Sequence, residues 1–158
     1  MIQQILPSLP GSYALRLVLD QPAALTVGRL GLFVFAPGMY LYLGSAHGPG
    51  GLQGRLRHHA RPAERPHWHI DWLRQHARLV GGWYAVADGP LECLWAQALA
   101  NLLAAVFPMP GFGASDCALG CRSHLLCFHN DIEEERIRQI LTTVTAGVTP
   151  FSFSSTPP

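Results

Sequence analysis

Tyr13, Leu15, Leu17 and Leu19 alternate with Ala14, Arg16 and Val18. A period of two sends successive side chains to opposite faces of an extended backbone, so this segment reads as a half-buried strand. Residues 20–23, with Pro22, form a turn. Residues 25–27 and 30–35 read as a hairpin about Gly28-Arg29, followed by a Pro37-Gly38 turn and a strand over 39–43 that closes at Gly44. A glycine-rich loop then leads to a helix over 52–60. Pro62 and Pro66 separate it from a second helix over 67–77, and 80–86 reads as a further strand. Pro90 suits the first turn of a helix reaching about residue 107, apolar nearly all round and therefore central. A loop rich in proline and glycine precedes a short strand over 125–128, and Asn130 or Asp131 caps an amphipathic helix over 132–144. These elements predict a small α+β domain with a mainly antiparallel sheet and flanking helices. Residues 1–10 are a lead-in, 11–129 the main domain and 130–146 a C-terminal helix. Residues 147–158, rich in Thr, Ser and Pro, are expected to be a disordered tail.

A chain of 158 residues suits one domain with a real core. No apolar run is long enough to cross a membrane. The start, MIQQILPSLP, lacks the charge pattern and cleavage site of a secretory signal, so the cytoplasm is the expected compartment. The formal net charge of +1 argues against a protein that coats nucleic acid nonspecifically. The distribution says more. Arginines 55, 57, 61, 65, 74 and 78 and histidines 58, 59, 67, 69 and 76 fall in one stretch, opposed there by only Glu64 and Asp71. Such a patch attracts a phosphate backbone, and it equally describes a solvated helical face. Cys93, Cys117, Cys121 and Cys127 are too few for a disulfide framework at this length; kept reduced, they bind metal or pack as buried thiols.

Two strings carry hydroxyls on strands: Gly11-Ser12-Tyr13 and Tyr42-Leu43-Gly44-Ser45-Ala46. Tyr13 and Tyr42 either face a site or fill the core as strand aromatics. On the following helix Arg55 and His59 are four apart and share a face, while Arg57 points elsewhere. Arginine suits phosphate because its planar fork donates two parallel hydrogen bonds. Glu92 sits on a mostly apolar helix, either as a metal ligand or as an N-terminal acid favoured by the helix dipole. His67 and Asp71, one turn apart, can pair; alternatively His67 only caps its helix and Trp68 and Trp72 only pack. Cys117, Cys121 and His124, with Cys127 nearby, offer soft donors for a structural zinc, against thiols buried beside a loop.

The order of these parts resembles the GIY-YIG nuclease superfamily, in which two strand tyrosines and a helix arginine surround a scissile phosphate. The superfamily's Leu-x-x-Arg-Leu-x-x-His helix is matched by Leu52, Arg55, Leu56 and His59. The resemblance therefore implies a phosphate-binding Arg55 with His59 as its neighbour. Superfamily members commonly carry two glutamates five residues apart on the later helix, the second binding the metal. Here those positions are Glu92 and Gln97, which point roughly 140° apart on a helix. Glu92 is taken as the ligand and Asp116 held in reserve. The segments from His67 to Asp71 and from Gly111 to Cys117, with Ser123-His124-Leu125, resemble the Uri-type branch (domain of unknown function 123), over residues 11–128. What this implies is a GIY-YIG-like fold and a metal-dependent endonuclease that hydrolyses phosphodiester bonds in branched or damaged DNA. Tyr13, Tyr42, Arg55 and His59 would be catalytic, with one Mg2+ or Mn2+ on Glu92. His67, His69 and Asp71 would support them, DNA would be the partner, and no membrane would be involved. The alternatives are a noncatalytic nucleic-acid-binding module on the same scaffold and a small interaction domain whose Cys/His loop binds zinc.

Overall fold

Strand β1 (Gly11–Leu19) is buried along both faces except at Arg16 and Val18, so it must be covered from both sides. The structure, a computed structural model, describes residues 4–128 and 130–153. A two-stranded hairpin forms a separate small sheet: β2 (Ala23–Val27) and β3 (Gly31–Phe35) are joined by a single 3-10 turn. Strand β4 (Gly38–Ser45) returns antiparallel to β1. Helices α1 (Gly51–His59) and α2 (His69–Arg74) follow, then β5 (Arg78–Val86) on the other edge of β1. Helix α3 (Glu92–Leu103), β6 (Leu125–Phe128), α4 (Glu134–Val144) and β7 (Thr149–Ser152) complete the chain. The main sheet runs β6-β4-β1-β5-β7 and every neighbouring pair is antiparallel. The expected fold class is the observed one.

The two-residue period sorts side chains into two cores. Tyr13, Leu15 and Leu17 of β1 and Tyr42 of β4 face α1, α2 and the hairpin, meeting Leu52, Leu56, Ile70, Leu73 and Phe35. Ala14, Leu41, Leu43 and Trp83 face the other way, onto Trp95 and Leu99 of α3 and Ile137, Ile140 and Leu141 of α4. Each large apolar side chain so buried contributes about 1.5–3 kcal/mol. Trp95 Nε1 also donates to the Leu141 carbonyl at 3.2 Å, tying α3 to α4.

Several expectations need correction. Helix α4 packs Ile137, Ile140 and Leu141 into the second core. The segment expected as a disordered tail supplies β7, which pairs with β5 and buries Phe151 in the first core; residues 154–158 lie outside the described residues, as do 1–3 of the lead-in. The rest of the lead-in is docked. The Pro7 and Leu9 carbonyls accept from the N–H groups of Gln53 and Leu52, in the first turn of α1, where no side chain caps the helix. Helix α3 stops at Leu103, short of the expected 107, because Ala104 turns left-handed at φ 49° and Val106 pairs with Cys127. No glycine marks that stop in the sequence.

Ile140→Ala should therefore cost about 2–4 kcal/mol in a denaturant titration, by emptying volume beside Trp95. The exposed Thr142→Ala on the same helix should cost under about 0.5 kcal/mol.

Candidate active site

Antiparallel register sets Tyr13 opposite Gly44 and places the start of β1 beside the end of β4. The missing side chain at Gly44 matters directly, since a methyl carbon there would fall on the Tyr13 ring. Gly113 does the same for Tyr42: its own φ is +69°, and a Cβ on it would lie 2.7 Å from Tyr42 Cε2. Two tyrosines thus lean into one end of the sheet, their ring centroids 6.4 Å apart. Both hydroxyls hold their protons more tightly than in water. Burial is the main cause for each; for Tyr13 the neighbouring Tyr42 adds to it, while for Tyr42 the Arg55 charge opposes it.

His59 reaches Tyr13 from the last turn of α1, its Nε2 2.9 Å from the hydroxyl. Burial, aided by His58, lowers its pKa to about 3, so the imidazole is neutral. Its Nδ1 is buried without a hydrogen-bond partner. Arg74, itself buried, donates to the His59 carbonyl at 3.2 Å and to the Ala77 carbonyl at 2.7 Å, fastening the end of α1 to α2. Asp71 is nearly fully buried. One of its oxygens accepts the backbone N–H groups of His67 and Trp68, and the other lies 3.0 Å from His58 Nε2. Burial alone would raise this carboxyl's pKa; the His67, His58 and Trp68 donors together outweigh it and hold the group below the usual carboxylate range.

Arg55, one helical turn before His59, lays its guanidinium 3.9 Å from the centre of the Trp68 ring. Among the described residues it has no carboxylate partner, so its donors are free to take an anion. Across the opening stands Glu92, at the first position of α3. Ser12 fixes this end of the helix: its hydroxyl accepts the Leu91 N–H at 2.9 Å and donates to Glu92 Oε2 at 3.4 Å. Tyr13, Tyr42, Arg55, Trp68, Glu92 and Asp116 all line a cleft of about 350 Å3. A larger hollow of about 600 Å3, between the lead-in and α1, holds Arg57 and Arg61 but no carboxylate or tyrosine. The 350 Å3 cleft is the one where chemically different groups converge.

The structure therefore brings together Tyr13, Tyr42, Arg55, His59 and Glu92. Gln97 is exposed on α3 and does not line the cleft, so the departure at that position leaves the wall intact. Among the supporting candidates, His69 accepts the Gly113 N–H at 3.0 Å and steadies the loop against Tyr42. The expected His67–Asp71 side-chain pair is not made. Asp71 takes the His67 backbone and the His58 ring, because the carboxylate turns back over the start of α2, and the His67 ring is exposed. Cys117 and His124 line the cleft wall together with Cys93, and Cys121 is joined to Cys93 as a disulfide. Cys127 sits apart on β6, opposite Tyr40. Sequence reasoning missed Ser12 and His58, and it did not group Cys93 with the loop that carries Cys117, Cys121 and His124. The quoted Gly-Ser-Tyr string contained the first, and strand alternation would have sent it to the α3 side.

The oxygen donors at the cleft mouth, Glu92 and the exposed Asp116, suit a hard divalent cation, which takes one or two carboxylates and completes its shell with water or phosphate oxygens.

Folding with a neutral His59 has a pH signature. The unfolded histidine takes up a proton below about 6.5 and the folded one only near about 3, so stability falls as pH drops through that window. The loss should reach roughly 3–5 kcal/mol at the acid end. In denaturant titrations at a series of pH values, His59→Gln should flatten this slope, leaving the shallower loss from Asp71.

No curated protein and no solved structure matched the chain. Among the described residues no helix is long and apolar enough to cross a membrane. One family model, described as "Domain of unknown function DUF123", matches residues 12–146, which takes in β1 from its second residue, every element from β2 to α4 and all the cleft residues named above. The chain belongs to that family.

Proposed function

We propose that the protein is a metal-dependent endonuclease of the GIY-YIG type, Uri-type branch, which hydrolyses phosphodiester bonds in DNA. The observation that carries this reading is the convergence of Tyr13, Tyr42, Glu92 and an Arg55 without a carboxylate partner among the described residues on one cleft, with His59 behind Tyr13. Arg55 would hold the scissile phosphate by two parallel hydrogen bonds, its plane already set by Trp68. Glu92, steadied by Ser12, would hold one Mg2+ or Mn2+. When bound, that ion supplies charge neutralisation at a phosphoryl oxygen and lowers the pKa of water.

Of the two roles open to Tyr13, base or water-orienting group, burial favours the second. A hydroxyl whose proton is held this tightly orients a nucleophile better than it deprotonates one. His59 fixes the direction of that hydroxyl and, being neutral, adds no charge of its own. Tyr42 would complete the polar wall that faces the phosphate. Branched or damaged duplexes are the proposed substrates. The tightly held hydroxyl protons also support the second reading, a module that binds nucleic acid without cutting it.

Cleavage of linear, single-stranded and branched DNA, with Mg2+ or Mn2+ and with chelator, separates these readings. Metal-dependent cleavage is expected, reduced about a hundredfold or more by Arg55→Ala, Tyr13→Phe or Glu92→Gln. Cleavage unchanged in Tyr13→Phe and Arg55→Ala would contradict the assigned site. DNA binding without cleavage in either metal would favour the module.

A further inference from the structure

Four soft donors from three separate places in the chain face one point beside the cleft. Cys93 comes from the first turn of α3, Cys117 and Cys121 from the loop before β6, and His124 from the residue just ahead of β6. Their ligand atoms all lie within 4.8 Å of one another. Cys93 Sγ is 3.2 Å from Cys117 Sγ and 3.3 Å from His124 Nε2. Four donors placed tetrahedrally around zinc at about 2.0–2.3 Å stand about 3.3–3.8 Å apart, close to the Cys93–Cys117 and Cys93–His124 separations; Cys121, bonded to Cys93, has to part from it to complete the shell. His124 is buried and its backbone is held on both sides: its N–H donates to the Phe112 carbonyl at 2.8 Å and its carbonyl accepts the Leu43 N–H at 2.9 Å, which fixes where the imidazole starts. The start of α3 favours negative charge, which suits a thiolate at Cys93.

We propose that the reduced protein binds one zinc ion through Cys93, Cys117, Cys121 and His124. Cys127, the other cysteine weighed for such a site, takes no part: it lies in β6 with its backbone paired to Val106. Opening the Cys93–Cys121 bond takes two electrons and two protons, supplied by a dithiol reductant that is itself oxidised to a disulfide. Binding then displaces three thiol protons, leaving three thiolates and a neutral imidazole around the ion. The closed donor set has no position for substrate, so the zinc is structural. Its place gives it a task. Glu92 precedes Cys93 and Asp116 precedes Cys117, so the ion ties the acidic wall of the cleft to the loop that packs on Tyr42. This inference does not depend on the nuclease reading.

The test is elemental analysis of full-length protein purified under dithiol reductant and dialysed, together with absorption spectra after cobalt replaces the metal. One zinc per chain is expected, with the thiolate-to-cobalt charge-transfer and tetrahedral d–d bands of a cysteine-rich site. Zinc should remain in Cys127→Ser and fall to background in Cys117→Ser and His124→Ala. Should those variants fail to fold, the wild-type cobalt spectrum and protection of three thiols from alkylation by zinc still decide the matter. Reduced protein that takes up no zinc, thiols equally reactive with and without zinc, or zinc retained in folded Cys117→Ser would each overturn the site.

Discussion

The cross-strand pairing of Tyr13 with Gly44 is the contact on which the rest of the site depends. It joins the two most buried strands of the sheet at the end where the cleft opens. A side chain at position 44 would displace the Tyr13 ring, and with it the 2.9 Å contact to His59. Because strand pairing has a period of two, the same register that turns Tyr13 and Tyr42 towards α1 turns Ser12 towards α3. One backbone alignment therefore positions both walls of the cleft, the arginine side through His59 and the carboxylate side through Ser12.

The polar cluster behind the cleft is an expensive thing to bury. A neutral histidine with one unpartnered nitrogen, a carboxylate and an arginine all lie in or near the first core. Leaving a buried polar atom unpaired costs on the order of 1–3 kcal/mol. Such groups are tolerable here because most are satisfied by backbone: Asp71 by two N–H groups, Arg74 by two carbonyls. The orphan His59 Nδ1 stands out against that pattern, and it sits directly behind the tyrosine assigned to orient water.

Much of this was legible in the sequence, and for identifiable reasons. Alternation from Tyr13 to Leu19 gave the central strand, and four-residue spacing put Arg55 and His59 on one helix face. What stayed hidden depended on contacts distant in sequence. Asp71 pairs with His58 rather than with the nearer His67 ring, which helical spacing alone does not reveal. Cys93 joins the Cys/His loop from 24 residues before Cys117, on a helix that no local spacing ties to that loop. The segment from residue 147 onward read as disordered from its composition. Yet Phe151 finds a buried place beside β5, and one apolar anchor with a free strand edge outweighs a polar context. Glu92 looked misplaced beside Gln97 when helix rotation was the only guide; Ser12, on a strand far away in sequence, sets where the helix begins.

The claim at the centre of this account is that the cleft between Arg55 and Glu92 receives a DNA phosphate. The most direct measurement is a crystal structure of the protein with a short branched DNA and Ca2+, which takes the place of a catalytic ion without supporting rapid turnover. A backbone phosphate within hydrogen-bonding distance of Arg55 and the Tyr13 hydroxyl, with the ion on Glu92, is the predicted result. DNA bound over another surface, with Arg55 and Glu92 touching neither phosphate nor ion, would contradict it.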